Sequence, residues 1–124
     1  TVAFGQDNVG AGRLIVGSGQ GKEPRIFVYD NQMKLKKTWL AFERAFLGGV
    51  YVASGNVDGK PGDEVIVGAG KGKGPIVKMF SFSGKQLYPD FHAYTTVSKS
   101  GIEVLAADVD FDGLAEIIAQ SGGF

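Results

Sequence analysis

The stretch Asp108-Val109-Asp110-Phe111-Asp112-Gly113-Leu114-Ala115-Glu116 places carboxylates at its positions 1, 3, 5 and 9. Acids spaced by one residue converge on a point when the backbone curls, and Gly113 at position 6 permits the sharp turn. The backbone carbonyl of Leu114, at position 7, adds another hard oxygen. Such a donor set suits Ca2+, which takes about six to eight oxygens at ~2.3–2.6 Å in flexible geometry, whereas Mg2+ demands a stricter octahedron and keeps more water. The loop is not an EF-hand. That motif needs a glutamate at about position 12 and flanking helices, but Ala119 stands there and both flanks read as strands. Mutual repulsion among four carboxylates disfavours an ordered loop without a cation. The expected role of the ion is structural, locking a hairpin. A catalytic metal would need an open position and neighbouring acid–base groups, and the sequence points to neither.

The same loop position recurs along the chain, because the chain repeats. At a displacement of 51 residues Leu14-Ile15-Val16-Gly17 falls on Val65-Ile66-Val67-Gly68, and Gly19, Gly21, Lys22 and Pro24 fall on Gly70, Gly72, Lys73 and Pro75. Leu35, Trp39, Ala41 and Phe42 then meet Leu87, Phe91, Ala93 and Tyr94 at 52. A third copy follows at the same spacing, with Asn56-Val57-Asp58 on Asp108-Val109-Asp110 and Glu64-Val65-Ile66 on Glu116-Ile117-Ile118. A period near 50 points to propeller blades rather than helical repeats. Each unit reads as four strands, in the second unit about 49–54, 65–69, 76–82 and 86–94. Val50, Val52 and Ser54 alternate with Tyr51 and Ala53, the period of a strand. Val65-Ile66-Val67 is a short apolar run suited to cover on both faces. Pro89 lacks an amide donor and marks the last strand as an outer edge.

The expected fold is therefore all-β, with about two and a half four-stranded antiparallel blades in a single array. Blade 1 spans about 1–47, with most of its first strand missing; blade 2 about 48–99; half of blade 3 about 100–124. Complete propellers need about 4–8 blades. Open faces and edges are costly, so self-association or the rest of a longer chain is expected to cover them. The chain opens on Thr1 without a methionine and shows no signal peptide, so it reads as a processed, trimmed or excised piece.

The acidic loop, the apolar strand after it and the glycine-rich hairpin Val67-Gly68-Ala69-Gly70-Lys71-Gly72-Lys73-Gly74-Pro75, continued by Val77-Lys78-Met79-Phe80, resemble FG-GAP or VCBS-type repeats of bacterial surface proteins. The same repeat builds the propeller of integrin α subunits. The resemblance covers essentially the whole chain. It implies a calcium-stabilised propeller, secreted or on the cell surface, used in adhesion, recognition or as an accessory to secreted proteins. The loops match unevenly. In the second unit Asn56, Asp58 and Glu64 fit positions 1, 3 and 9, and the Gly62 carbonyl fits position 7, making this the poorer metal candidate. Lys60 takes position 5, where its ammonium is expected to replace the cation by pairing with the carboxylates. The first-unit loop, Gly5 to Arg13, keeps only Asp7 and is expected to be metal-free.

Composition narrows the function classes. Thirteen basic residues balance thirteen acidic ones, which argues against a nucleic-acid footprint. No run reaches the roughly 18 apolar residues that membrane insertion needs. There is no cysteine, hence neither disulfide nor thiolate metal site. Glycine contributes 20 residues, well above the usual share of ~7%, and sits between β-branched runs as turns do. The loops at 17–24 and 68–75 do not fit the phosphate-binding spacings and precede no helix, so they read as flexible hairpins. His92, the single histidine, has no nucleophile elbow to serve. Lys34, Lys36 and Lys37 read as a solvated outer edge, and Trp39, Phe42 and Phe46 as packing between blades. The expected function is a non-catalytic binding, adhesion or scaffolding module for a protein or glycan. A lectin propeller with aromatic pockets between blades, or an accessory propeller of a secreted enzyme, is the alternative.

Overall fold

A computed structural model describes residues 1–93 and 99–121. Tyr94, at the end of the expected fourth strand of the second unit, and residues 122–124 of the third unit lie outside the described residues. The described residues contain strands and turns but no helix, so none is long and apolar enough to cross a membrane.

Ten strands form three antiparallel sheets in simple up-and-down order. The first sheet holds β1 (Val2–Gln6), β2 (Gly12–Gly17), β3 (Arg25–Tyr29) and β4 (Leu35–Leu40). The second holds β5 (Val50–Gly55), β6 (Glu64–Ala69), β7 (Ile76–Phe80) and β8 (Phe91–His92). The third has two strands, β9 (Ile102–Ala107) and β10 (Glu116–Ser121). The boundaries lie close to those the alternation and the glycines imply, with two departures. β1 is five residues long and pairs along its whole length with β2, from Val2 opposite Val16 to Gln6 opposite Gly12. The first strand is thus nearly as long as its counterpart β5, fuller than expected. The fourth strand of the second sheet is instead broken. Gln86 bridges Phe80, Pro89 interrupts, and pairing resumes at Phe91 and His92. Proline cannot donate to the ladder, so it splits this edge strand. The exposed Lys34, Lys36 and Lys37 lie on or beside the outer edge strand β4, and His92 is exposed in β8.

The sheets stack, and their cores follow from strand alternation. Val65, Val67, Val50 and Val52 of the second sheet pack with Ile15, Ile26 and Val28 of the first. Ile66, Val77 and Ala53 point the other way, against Ile102 and Val104 of the third. Every residue of β6 is therefore buried, while its counterparts β2 and β10 are only partly so. Trp39 of the first sheet lies 5.5 Å from Phe80 of the second, ring centre to ring centre.

Two hydrogen bonds recur at both junctions. The Asp63 amide donates to the Gln6 carbonyl at 2.8 Å, and the Ala115 amide to the Asn56 carbonyl at 2.8 Å. The Gly21 amide donates to Leu47 and the Gly72 amide to Lys99, both at 2.8 Å. In each pair the second bond joins the repeat-equivalent residues of the first. Gly17 and Gly68 sit at close approaches between the sheets. A Cβ on Gly17 would lie 2.7 Å from Val50 Cγ2, and one on Gly68 would lie 2.2 Å from the Ile102 carbonyl oxygen. No larger residue fits there without moving the neighbouring sheet.

Candidate metal centre

The loop from β9 to β10 curls as its spacing implies. Gly113 has φ of 91° and Phe111 has φ of 60°, both in the left-handed region. Phe111 projects outward and is 91% exposed, which leaves the alternate side chains of Asp108, Asp110 and Asp112 on the inside of the turn. One carboxylate oxygen from each of Asp108, Asp110, Asp112 and Glu116 lies within 4.8 Å of all the others. Among the described residues this is the single such group of three or more potential His, Cys, Asp or Glu ligands.

Backbone amides hold the carboxylates in place. Asp108 accepts from the Asp112 amide at 3.1 Å and, through its second oxygen, from the Gly113 amide at 2.9 Å. Asp110 accepts from the Asp112 amide at 3.2 Å, and Asp112 from the Leu114 amide at 2.9 Å. Glu116 reaches back across the hairpin to the Val109 amide at 2.9 Å. Each bond leaves carboxylate lone pairs free. The Asp110 carboxyl is pushed above the usual aspartate range, first by desolvation in the crowded turn and then by Asp112 and the Glu116 charge; the Asp112 amide pulls the other way. A cation among these oxygens would relieve that repulsion.

The second loop is built on the same frame but does not gather three carboxylates. Glu64 is 4% exposed and accepts from the Val57 and Asp58 amides at 2.8 and 3.2 Å. Burial raises its carboxyl above the ordinary range against the pull of those amides. Asn56 accepts from the Gly59 amide at 2.9 Å, and Asp58 from the Lys60 amide at 2.8 Å. The Lys60 ammonium forms no ion pair among the described residues; its backbone carbonyl instead accepts from the Asn56 amide group at 2.9 Å. The expected lysine-for-cation exchange is therefore absent, because this exposed side chain keeps its hydration at no cost in pairing. Gly62, with φ of 93°, packs against the first loop, where its Cβ would lie 2.8 Å from the Asn8 nitrogen.

In the first loop the exchange does occur, through a residue the spacing did not single out. Asp7 pairs with Arg13 at 2.8 Å and accepts from the Val9 and Ala11 amides at 3.0 and 2.9 Å. The Ala11 amide foremost, with the Val9 amide and the Arg13 charge, holds its carboxyl below the usual range against a desolvation penalty. Arg13 lies opposite Gly5, as Glu64 lies opposite Gly55 and Glu116 opposite Ala107. A guanidinium thus stands at the ninth position where the later loops carry glutamate.

The glycine-rich hairpins also do more than turn the chain. Besides the amide contacts already described, Lys73 pairs with Glu43 and lies 5.3 Å from the centre of the Phe46 ring. Lys78 lies 5.0 Å from the centre of the Phe42 ring. Together they clamp the second sheet to the segment that leaves the first. Comparison with known protein families and with curated proteins finds no match for this chain.

Proposed function

We propose that this chain is a run of FG-GAP/VCBS-type propeller blades, pinned by Ca2+ at the loop after β9, and that it serves as a non-catalytic binding or scaffolding module. The observation that carries the metal reading is the convergence of Asp108, Asp110, Asp112 and Glu116 within 4.8 Å. Their donors are all hard oxygens, the Leu114 carbonyl completes the same turn, and the surrounding elements are strands. Bound there, the ion would neutralise the acids and fix the hairpin that joins β9 to β10. The blade reading is supported by the period of the sequence, by four-stranded up-and-down sheets, and by two junctions made through equivalent hydrogen bonds. A fixed operation repeated between successive sheets generates a ring or a superhelix. Placement outside the cell, and a protein or glycan as ligand, follow from the resemblance of the glycine-rich hairpin and acidic loop to bacterial surface repeats.

Thermal unfolding with and without Ca2+ tests the reading. Calcium should raise the Tm of the chelator-treated protein, and Asp110→Asn should abolish the rise. An equal rise in that variant would remove the ion from this loop.

A further inference from the structure

Between the first and second sheets, at the end that carries the acidic loops, lies a cavity of about 270 Å³. Asp7 lines it from the β1–β2 loop, Asp58, Lys60, Asp63 and Glu64 from the β5–β6 loop, and Phe82 from the turn after β7. Each of these segments runs between two strands of the four-stranded sheets.

Three of the four carboxylates use only one oxygen. Asp58 accepts from the Lys60 amide on Oδ1, Asp63 from the Gln6 amide on Oδ2, and Glu64 from the Val57 and Asp58 amides on Oε1. Among the described residues no cationic side chain pairs with any of the three. Glu64 is 4% exposed. Its Oε2 has no donor, yet the polar side-chain atoms sealed without a partner among the described residues are Thr38 Oγ1 and Trp39 Nε1. Glu64 Oε2 therefore keeps an opening, and the cavity that Glu64 lines is that opening. A buried carboxylate with a spare acceptor is satisfied by a donor that enters there. Asp7 is different, since Arg13 and two amides take both its oxygens. Three unpaired carboxylates thus face the single ammonium of Lys60.

The charge selects a cation, and the spacing selects its shape. A metal ion or an ammonium is a point, which reaches oxygens within roughly 5 Å of one another. Asp58, Asp63 and Glu64 do not gather so closely; among the described residues the group that does lies in the third loop. A guanidinium spreads five N–H donors over a planar fork and stacks on aromatic rings, and Phe82 is at the wall. The match is already made on the adjoining wall, where Arg13 pairs with Asp7 at 2.8 Å.

We propose that this cavity receives an arginine side chain of a partner polypeptide, its guanidinium shared among Asp58, Asp63 and Glu64. The proposal deepens the binding-module reading, on which it rests for a partner, and needs no calcium.

Amide NMR of the whole chain, with Ca2+ present to occupy the third loop, tests it. Acetyl-arginine methylamide should shift the Gln6, Val57, Asp58 and Lys60 amides saturably, since these donate to the three carboxylates. The citrulline analogue, the same shape without the charge, should leave them unmoved, and the lysine analogue should bind about tenfold more weakly. Asp58→Asn and Asp63→Asn keep an acceptor for their amides and should each weaken binding about tenfold. Lys60→Met removes the competing charge and should tighten it. Free arginine brings its own carboxylate to an acidic cavity and should bind more weakly than the blocked residue. Equal binding of the citrulline or lysine analogue, shifts confined to the 108–116 loop, or unchanged affinity in both aspartate variants would overturn the site. Tighter binding of free arginine, or of glucose, would overturn the assignment to a polypeptide. Should the variants fail to fold, the three blocked residues still decide on the wild type. The rise in Tm with Ca2+, read on the same protein, persists when the arginine site alone is wrong.

Discussion

Arg13, Glu64 and Glu116 hold one position in three loops, and the first two loops answer to pH with opposite sign. Asp7, paired with Arg13, has a depressed carboxyl. Its stabilising contribution is complete above the ordinary aspartate value, about 3.9, and drains away as pH falls through the depressed value. Glu64 has the opposite sign. Its raised value means that the folded state binds the proton more tightly than the unfolded chain. Stability therefore falls as pH rises from the ordinary glutamate value through the raised one. Asp110 shares that sign, and a bound cation would reverse it. Glu64→Gln keeps an acceptor for the Val57 and Asp58 amides, so it should flatten the decline in Tm between acidic and neutral pH. An unchanged slope in that variant would place the titration elsewhere. The convergence of the third-loop acids was legible in the sequence, since alternate spacing around a glycine leaves them one inner side. The Asp7–Arg13 exchange was not, because it depends on the register that sets Arg13 opposite Gly5.

At the scale of the elements, alternation and glycine placement located most strands, and the apolar run of β6 announced its burial on both sides. The fourth strand of the second sheet was drawn too long because one proline outweighs the β-forming residues around it. The closeness of the sheets was hidden, since it brings together residues far apart in the chain. Gly68 reads as one more hairpin glycine, yet the Ile102 carbonyl would stand 2.2 Å from its Cβ. Gly68→Ala should destabilise the protein by about 1–3 kcal/mol, the usual cost of overpacking. Gly19→Ala, where a Cβ meets nothing within 4 Å, should stay within about 0.5 kcal/mol of the wild type. Chemical denaturation of both variants measures the difference. Equal stabilities would mean that the sheets can separate at that point without loss.

Across the whole molecule successive sheets meet through equivalent hydrogen bonds, and the loop of each repeat handles its charge differently. The first uses an arginine, the second buries its glutamate beside two amides, and the third gathers four carboxylates. Among the described residues, the third loop alone gathers carboxylates that could hold a divalent ion. The most direct measurement is a calorimetric titration of Ca2+ into chelator-stripped protein. Calcium should fill a single site per chain, retained in Asp58→Asn and lost in Asp110→Asn. Heat of binding that survives Asp110→Asn, or a wild type that takes up no calcium, would contradict it.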